Sequence, residues 1–336
     1  MKFLLIIILI TFTSALPDTL TWSVLPNTLV ACRYTAGAYF SGKFYQICGM
    51  DLNYQDYKYI QIYDGSGWSQ SISSHPMGIC THSAAVWNGK IVISGGSSQA
   101  TPGGYYDYTT MYDPIDTSWI VSTPMPQDGM CFTGMATVNG KCYLFGSEGP
   151  GSTLDTTYEW VPGAPNMTSK ASMPAPRCDM AVAECNGKMY LFGGRQEPNL
   201  FFNSIWEYNP VSNSWIIKNA TLSTNRIGAG AVTIGTKIYV IAGRSNWNAY
   251  LNSVDIYDII SDTISTGTSL LNPISSFATA GYFIQDSNTT YTGHIYVSGG
   301  SNGSTTYNTA YLGTVSGVYC NKVQPTSLGN LKALYH

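Results

Sequence analysis

Asn186-Gly-Lys-Met-Tyr-Leu-Phe-Gly-Gly194 is the stretch of this sequence that decides the fold. Asn-Gly is a strong signal for a tight hairpin because both residues accept positive φ angles, and the apolar run after it predicts a buried strand. Five other segments repeat this order of turn, strand and small or glycine-rich end: Gly42–Gly49, Gly89–Gly96, Gly140–Ser147, Gly235–Gly243 and Gly293–Gly300. A strand-rich repeat of about 50 residues predicts a β-propeller with one blade per repeat.

The strand before each turn carries small side chains at every second position. Alanine stands four residues before the turn glycine in five copies: Ala38, Ala85, Ala136, Ala183 and Ala231. Alternate residues of a strand share one face, so that face is small along the strand. The innermost strands of a propeller are crowded around its axis, and the pattern therefore favours a closed ring over an open sandwich.

Aromatic residues mark the third and fourth strands of each copy. Third strands end at Tyr63, Tyr112, Trp160, Tyr208 and Tyr257, and Trp68, Trp119 and Trp215 mark fourth strands. The glycine pair, the later Tyr and the Trp resemble the kelch motif over nearly the whole chain. This resemblance implies an all-β fold, a six-bladed kelch-type β-propeller with four-stranded antiparallel blades. Pro162 and Pro165 make the fourth strand of copy three doubtful.

The predicted blades cover approximately 32–70, 80–121, 130–168, 177–217, 226–266 and 276–316, with 20–26 completing the last. No Trp follows the third strand of copy six, whereas Trp22 lies in a strand-like segment near the N-terminus. We expect this N-terminal strand to close the ring, because closure removes unpaired strand edges. The alternative is that Trp22 belongs to an exposed tail and blade six has three strands.

The first residues predict export. Lys2 precedes an apolar run from Phe3 to Phe12, and small residues follow at 13–15, so 1–15 reads as a signal peptide and 16–336 as one propeller. Such a run is shorter than the roughly 20 residues of a membrane span, and residues 331–336 lack the apolar tail of a lipid anchor. We expect a secreted protein that does not insert into a membrane.

Cysteines and glycosylation motifs agree with export. N-glycosylation motifs begin at Asn166, Asn219, Asn288 and Asn302. The chain has 8 cysteines, an even number that favours disulfides in an oxidising compartment. Conceivable bridges are Cys131–Cys178, Cys142–Cys185, and Cys320 with Cys48 or Cys32. The sequence does not determine the connectivity.

Charge and motifs argue against several classes of function. A formal net charge of −3 with 10% charged residues predicts no nucleic-acid surface. Cysteine and histidine spacing does not suit zinc, and no phosphate or dinucleotide loop occurs. Kelch copper oxidases are a poor match because the histidines, His75, His82, His294 and His336, are not spaced as a ligand pair. We expect no cofactor and no metal.

Aromatic residues populate the loops that the resemblance places on one face, after the second strands. The candidate ligand-binding residues there are Tyr54, Tyr57, Tyr105, Tyr106, Phe201, Phe202, Trp247 and Tyr250. Rigid aromatic side chains give large contact areas at low entropic cost, which suits a protein or glycan ligand. Alternatively, several of them fold back over the propeller, or they reflect a tyrosine-rich composition.

Further candidates stand where the chain approaches the inner strands: Arg33, His82, Arg177, Asp179 and Arg226. The kelch resemblance implies that arginines here bind carbonyl groups and fix neighbouring loops. The alternative is a central pocket in which guanidinium groups hold a carboxylate, with Glu148, Glu197 or Asp155 available for acid–base chemistry.

Two functions are consistent with these residues. The first is a secreted, non-enzymatic module that binds a protein or glycan through the aromatic loops. The second is a small carbohydrate enzyme using the central pocket, similar to secreted six-bladed kelch proteins that epimerise sialic acid. The enzyme requires an acid and a base that converge on one ligand atom.

Overall fold

The computed structural model describes residues 18–51, 53–100, 104–149, 151–286 and 290–318. Their strands form six four-stranded sheets and one two-stranded hairpin. The predicted all-β, six-bladed propeller with antiparallel blades is confirmed. The predicted signal peptide, residues 1–15, lies outside the described residues.

Strand β1 (Thr19–Leu25) precedes the first blade. Blade one contains β2 (Ala36–Phe40), β3 (Lys43–Ile47), β4 (Ile60–Tyr63) and β5 (Trp68–Gln70). Blade two contains β6 (Ser83–Trp87), β7 (Lys90–Ser94), β8 (Tyr108–Tyr112) and β9 (Trp119–Pro124). Blade three contains β10 (Gly134–Val138), β11 (Lys141–Gly149), β12 (Ser152–Trp160) and β13 (Thr168–Ser169).

Blade four contains β14 (Ala181–Cys185), β15 (Lys188–Phe192), β18 (Ser204–Asn209) and β19 (Ser214–Thr221). A hairpin of β16 (Arg195–Gln196) and β17 (Leu200–Phe201) projects from it. Blade five contains β20 (Gly230–Ile234), β21 (Lys237–Ile241), β22 (Val254–Asp258) and β23 (Thr263–Gly267). Blade six contains β24 (Ala278–Gln285), β25 (Thr290–Ser298) and β26 (Ala310–Val318), followed in sheet order by β1.

The Asn-Gly turns have the conformation that the sequence predicts. Asn88, Asn139 and Asn186 have φ angles of 45°, 50° and 52°, and each is followed by a glycine of positive φ. Such turns match the twist of antiparallel strands and therefore fix the register of each inner hairpin. In blade four the register runs from Cys185 opposite Lys188 to Ala181 opposite Phe192.

The core lies between neighbouring blades. Phe44 and Tyr63 of blade one pack with Tyr296 of blade six, and the rings of Phe44 and Tyr296 stack at a centroid distance of 5.2 Å. Equivalent clusters join the other neighbours, such as Phe192 of blade four with Tyr257 of blade five. Large buried aromatics dominate the energy of such interfaces, so each blade is stabilised by its two neighbours.

The N-terminal strand closes the ring. Strand β1 pairs with β26 from Thr19 opposite Ser316 to Leu25 opposite Ala310. Leu20 is buried in the core between blades five and six. The expectation that Trp22 lies on the strand completing the last blade is confirmed.

Two of the loops expected after second strands contain regular structure. In blade three, β11 extends to Gly149 and β12 begins at Ser152, and in blade four the segment after β15 contains the β16–β17 hairpin. The doubtful fourth strand of blade three is present, but it is only two residues long. Pro162 and Pro165 precede it in sequence, where proline cannot donate ladder hydrogen bonds.

The disulfides considered from the sequence are not formed among the described residues. Seven cysteines are buried free thiols there, and Cys320 lies outside the described residues. Cys142 packs between blades two and three, whereas Cys185 packs between blades four and five. Cys131 points its sulfur at the carbonyl oxygen of Glu148, 3.4 Å away, rather than at Cys178.

Candidate functional site

A closed ring of backbone hydrogen bonds surrounds one end of the central channel. We call its members the mouth ring: Tyr34, Thr81, Phe132, Asp179, Gly228 and Ser276. The N–H of each donates to the carbonyl oxygen of its equivalent in the preceding blade, at 2.7–3.2 Å. All six have φ angles between 52° and 58°, a backbone region that residues other than glycine seldom adopt. The ring therefore holds a strained backbone in a fixed position around the axis.

Below the mouth ring the inner strands enclose a cavity of about 170 Å³. Small residues on or next to the inner strands line it, including Ala36, Ser83, Gly134, Ala181 and Ala229. Tyr34, Phe132 and Asp179 of the mouth ring line it as well. The stripe of small side chains in the sequence thus forms the channel wall, and the larger mouth-ring side chains define its opening.

A second layer of residues surrounds the mouth ring. These are the residues that directly follow the small or glycine-rich end of each second-strand segment: Met50, Ser97, Glu148, Arg195, Arg244 and Ser301. Each forms an isolated β-bridge with the residue before a mouth-ring position, as Arg195 does with Cys178. We call these six the collar. Its charged members come from blades three, four and five, so the site is electrostatically one-sided.

Arg195 of the collar is surrounded by carboxylates. Its side chain is 4% exposed and forms ion pairs with Glu148 and Glu197. Its Nε lies 3.8 Å from Asp179 Oδ2. Charge-assisted pairs of this kind hold a guanidinium in one orientation. Arg195 is thus fixed at the mouth with its Nε edge towards Asp179.

Arg244 is much less well paired. Its Nη2 lies 3.9 Å from Asp179 Oδ2, which is too long for a hydrogen bond. Arg244 Nε, Arg195 Nε and Asp179 Oδ2 are buried atoms with no hydrogen-bond partner among the described residues. Burial raises the pKa of Asp179, and the neighbouring Arg195 and Arg244 act in the opposite direction. Unpaired buried donors are costly, so this cluster is suited to accept an additional oxygen ligand.

Aromatic rings cover the charged half of the mouth. The centroid of Trp247 lies 5.0 Å from the guanidinium carbon of Arg195 and 4.8 Å from that of Arg244. The ring of Phe201 meets that of Trp247 edge-on, with their centroids 5.5 Å apart, and the indole Nε1 of Trp247 donates a hydrogen bond to Asn199 Oδ1. Cation–π contacts of this type keep arginine side chains extended and partly desolvated.

The opposite side of the mouth carries Arg33 and Tyr54, two of the residues predicted from sequence. The guanidinium carbon of Arg33 lies 4.5 Å from the centroid of Tyr54 and 5.6 Å from that of Tyr34. Arg33 Nε is buried without a hydrogen-bond partner among the described residues. Tyr54 is 61% exposed and is available to a ligand.

Three other predicted aromatics lie near this face. Tyr57 donates a hydrogen bond to Gln70 Oε1 at 2.6 Å, and Tyr105 forms a β-bridge with Ser97 of the collar. Tyr250 is half-buried, with its centroid 6.0 Å from the guanidinium carbon of Arg244. Tyr250 therefore shares the charged half with Trp247, whereas Tyr57 belongs to the outer part of blade one.

Two predicted aromatics have roles inside the fold. Tyr106 is 5% exposed and packs in the core between blades one and two, so its ring is not presented on the surface. Phe202 covers the guanidinium of Arg177 at 3.8 Å, and Trp206 approaches the same group at 3.5 Å. The alternative that several aromatics fold back over the propeller applies to these residues.

Arg177, Arg226 and His82 are buried and bind backbone carbonyl groups. Arg177 donates to the carbonyl oxygen of Gly193 at 2.9 Å. Arg226 donates to those of Ala242 and Ser253. His82 Nε2 lies 3.1 Å from the carbonyl oxygen of Ile47, and burial lowers the pKa of His82 to about 4. Their contacts are those of the structural role, in which they fix loops between blades.

Sequence reasoning missed Arg195 and Arg244, which carry most of the positive charge at the mouth. Both immediately follow the glycine that ends the second-strand segment, in Gly194-Arg195 and Gly243-Arg244. Comparing that position across the six repeats would have identified the collar, because four copies have Met, Ser or Glu there. Asp179 was noted beside Arg177, but its position between two arginines depends on the ring geometry.

The described residues contain neither a metal-binding cluster nor a membrane-spanning helix. No group of three or more His, Cys, Asp or Glu side chains in that part of the chain could hold a metal ion. No helix in the same residues is long and apolar enough to cross a membrane.

Comparison with known proteins agrees with the repeat and the ring. The model of the KLHDC2/KLHL20/DRC7 Kelch-repeats domain matches residues 134–324, more than half of the chain. The chain belongs to the kelch-repeat family.

The chain matches only part of the length of its kelch-repeat relatives, between about a quarter and a half. Mouse Kelch-like protein 35 is 22% identical over 171 residues, which are 50% of this chain and 28% of the mouse protein. Zebrafish Kelch-like protein 15 is 27% identical over 164 residues, 43% of this chain and 27% of that protein. Kelch-like protein terF of Aspergillus terreus is 26% identical over 246 residues, 64% and 51% respectively.

A solved structure shares the kelch propeller fold. The structure of YjhT superposes with a TM-score of 0.70 at 15% sequence identity, over 85% of this chain and 95% of YjhT. At this identity the likeness concerns the fold alone.

Proposed function

We propose that this kelch propeller is a secreted protein-recognition module that binds its partner at the channel mouth. The mouth ring supplies a rigid frame, and the collar and aromatic loops supply the contacting side chains. The bound group is an acidic side chain or a terminal carboxylate of the partner protein. Kelch-repeat relatives support a protein partner.

Arg244 is the observation that carries this proposal. Its side chain is 9% exposed, its Nε has no hydrogen-bond partner among the described residues, and its nearest carboxylate is 3.9 Å away. A guanidinium fork matches a carboxylate in two parallel hydrogen bonds, so a ligand oxygen would satisfy donors that the fold leaves unpaired. The cost of leaving them unpaired is partly regained on binding.

The aromatic surface beside Arg244 supports the same proposal. Trp247, Phe201 and Tyr250 are half-buried around the charged half, and Tyr54 is exposed across the mouth. Aromatic and arginine side chains are enriched among the residues that dominate protein interfaces. An acidic anchor in the mouth with flanking apolar contacts on these rings is the binding mode we propose.

Selection from a peptide-display library on the purified protein tests the proposal. We expect enriched peptides to carry Asp, Glu or a free terminal carboxylate. Arg244→Ala should weaken their binding at least about tenfold, and Arg244→Lys should restore part of it. The matched control is Lys218→Ala, a cation paired with Glu207 on blade four, which should leave the affinity unchanged.

Other results would redirect the proposal. Selected peptides without an acidic group, or equal binding by Arg244→Ala, would contradict it. A glycan array and product analysis on the same preparation address the other two possibilities. Glycan binding lost in Trp247→Ala would favour a lectin-like module, and turnover of a bound sugar would favour the enzyme.

Export is the second part of the proposal, supported by the apolar N-terminal run and the glycosylation motifs. Asn166 and Asn219 are exposed, whereas Asn302 donates from Nδ2 to the hydroxyl of Tyr307 at 2.7 Å. Asn288 lies outside the described residues. Expression in a eukaryotic secretory system should release a protein that begins near residue 16 and carries glycans at Asn166 and Asn219. Intracellular retention of the uncleaved chain would contradict secretion.

A further inference from the structure

Asp179 occupies a position that a ligand anion would also favour. Its Oδ2 lies between two guanidinium groups, 3.8 Å from Arg195 Nε and 3.9 Å from Arg244 Nη2, and bonds to neither. The side chain is 9% exposed, and its backbone is fixed on both sides by the mouth ring. Asp179 is thus close enough to neutralise the arginines but too far away to satisfy their donors.

Three carboxylates already surround the two arginines of the charged half. Arg195 and Arg244 lie beside Asp179, and Glu148 and Glu197 lie beside Arg195. Glu148 and Glu197 are paired directly with Arg195. A ligand anion placed beside Arg244 would therefore lie close to an ionised Asp179, and the two negative charges would repel each other in a region of low dielectric.

We propose that Asp179 is a specificity-determining counter-ion, and that an acidic ligand binds at Arg244 with uptake of one proton by Asp179. The proton comes from solvent and converts the Asp179 carboxylate to the neutral acid, so the net charge of the mouth is unchanged when the anion arrives. This inference rests on the proposed function, because it requires anion capture at Arg244. Protonation of Asp179 therefore increases the preference for negatively charged ligands over neutral ones as the pH falls.

Burial already favours the neutral form of this carboxyl. Desolvation raises the pKa of Asp179, and the arginines lower it. An anion that binds Arg244 offsets part of the arginine effect, so by linkage it raises the pKa of Asp179 further. A raised pKa means that the neutral form predominates at lower pH, and ligand affinity should increase as pH falls towards the pKa of Asp179.

Other titratable groups around the mouth respond in different pH ranges. Burial raises the pKa of Tyr34 and of Cys178, so both stay neutral at moderate pH. His82 lines the same cavity from blade two, and its pKa is lowered to about 4 by burial. Glu148, beside Arg195, is the remaining carboxylate that acts on Asp179. Variants at Asp179 and Glu148 therefore distinguish the group responsible.

The experiment uses the full mature protein and methanesulfonate, an anion that carries one charge over the whole range of about pH 5–9. Binding is followed through the Nε–H resonances of ¹⁵N-arginine-labelled protein. We expect wild-type affinity to increase roughly tenfold from high to low pH, because removing a nearby unit charge has an effect of this order. Asp179→Asn should bind tightly at every pH, and Glu148→Gln should keep the wild-type pH dependence.

Proton uptake gives a second measurement that requires no variant. Calorimetric titration in two buffers of different ionisation enthalpy should show net proton uptake that is largest between the pKa of Asp179 in the free protein and its higher pKa in the complex, about half a proton per bound anion for a tenfold change in affinity. The uptake should fall to zero well below and well above this interval. This readout remains decisive if Asp179→Asn fails to fold. A buffer-independent heat at every pH would overturn the inference.

The outcomes separate this inference from the proposed function. If Arg244→Ala abolishes methanesulfonate binding but the pH dependence persists in Asp179→Asn, capture at Arg244 stands and the role of Asp179 is refuted. If the wild-type protein does not bind the anion, or Arg244→Ala binds it equally well, the proposed anion capture fails and this inference fails with it.

Discussion

A hydrogen bond between Trp22 and Thr268 joins the N-terminal strand to the end of blade five. The indole Nε1 of Trp22 donates a hydrogen bond to the carbonyl oxygen of Thr268 at 2.8 Å, although the two residues are 246 positions apart. Thr268 also donates from Oγ1 to the carbonyl oxygen of Leu20 at 2.5 Å. Asp18 pairs with Lys237 of blade five at 2.8 Å. The closing strand is therefore bound both to β26 of its own blade and to blade five.

Weakening this closure should destabilise the whole propeller. Trp22 packs its ring directly on Gly313, and Leu20 is 5% exposed. Trp22→Ala removes the indole hydrogen bond and leaves a void, and we expect a loss of about 2–4 kcal/mol in the free energy of unfolding. Chemical denaturation followed by tryptophan fluorescence measures it. Val211→Ala is the control, because that side chain is 87% exposed and should cost little.

A normal stability of Trp22→Ala would show that the indole contact contributes little to ring closure. The pairing of β1 with β26, buried Leu20 and the Asp18–Lys237 ion pair would then be sufficient to hold the closing strand. Gly313→Val tests the same contact from the other side, since a side chain there would meet the Trp22 ring within about 3 Å.

The blades could be predicted from sequence because each repeat contains the local turn and strand signals of its own hairpin. Asn186-Gly187 and the apolar strand after it are local signals, and the small residue Ala183 reflects a constraint shared by every inner strand. The ionic cluster could not be predicted in the same way. Asp179 and Arg195 stand 16 positions apart in the fourth repeat and Arg244 belongs to the fifth, and the packing of these two blades brings the three side chains together. Tyr106 was misjudged as a surface residue because a tyrosine-rich loop does not reveal which ring faces inward.

The buried ion pair of blade five should be essential for stability. Arg226 is 0% exposed and Asp255 1%, and they form a contact of 3.2 Å between Nη2 and Oδ2. Asp255 also accepts hydrogen bonds from Ser223. Asp255→Ala leaves Arg226 charged without a partner, so we expect a loss of about 3–5 kcal/mol. Urea unfolding measures it, and Asp116→Ala, an exposed carboxylate on blade two, serves as control.

A small effect of Asp255→Ala would mean that the carbonyl groups of Ala242 and Ser253 alone satisfy Arg226. Replacing the pair together, as Arg226→Met with Asp255→Ala, provides the double-mutant cycle that isolates their interaction. We expect the double variant to be more stable than the sum of the single losses predicts, since it leaves no unpaired buried charge.

Two buried histidines predict acid destabilisation. Burial lowers the pKa of His75 to about 3 and that of His82 to about 4. A histidine with a depressed pKa is neutral in the fold but takes up a proton when unfolded, so stability is complete above about pH 6.5 and decreases as the pH falls through the interval to the folded pKa. We expect each to contribute a loss of about 3 kcal/mol by pH 4. Unfolding free energies measured from pH 7 to pH 4 test this.

His75→Gln should reduce the slope of stability against pH. His75 is 0% exposed and lies between the rings of Tyr106 and Trp119, at centroid distances of 5.2 and 4.9 Å. Its replacement lowers stability at pH 7 but removes one titrating group. The variant Lys43→Gln, at the exposed first residue of β3, should keep the wild-type slope. An unchanged slope in His75→Gln would show that another group controls the acid transition.

The buried thiols should resist oxidation and alkylation in the folded protein. Seven cysteines are free and at most 4% exposed. Burial raises the pKa of Cys32, Cys80, Cys131, Cys142 and Cys185 to about 12. The thiolate is the reactive form, so the pKa values and the burial both predict slow reaction with iodoacetamide at pH 8.

Intact-mass analysis should show these seven thiols unmodified in native protein and all modified after denaturation without reductant. Peptide mapping separates them from Cys320, which lies outside the described residues. If denatured, unreduced protein instead leaves Cys131 and Cys178 unmodified, a bridge has formed between them and the free-thiol arrangement is wrong.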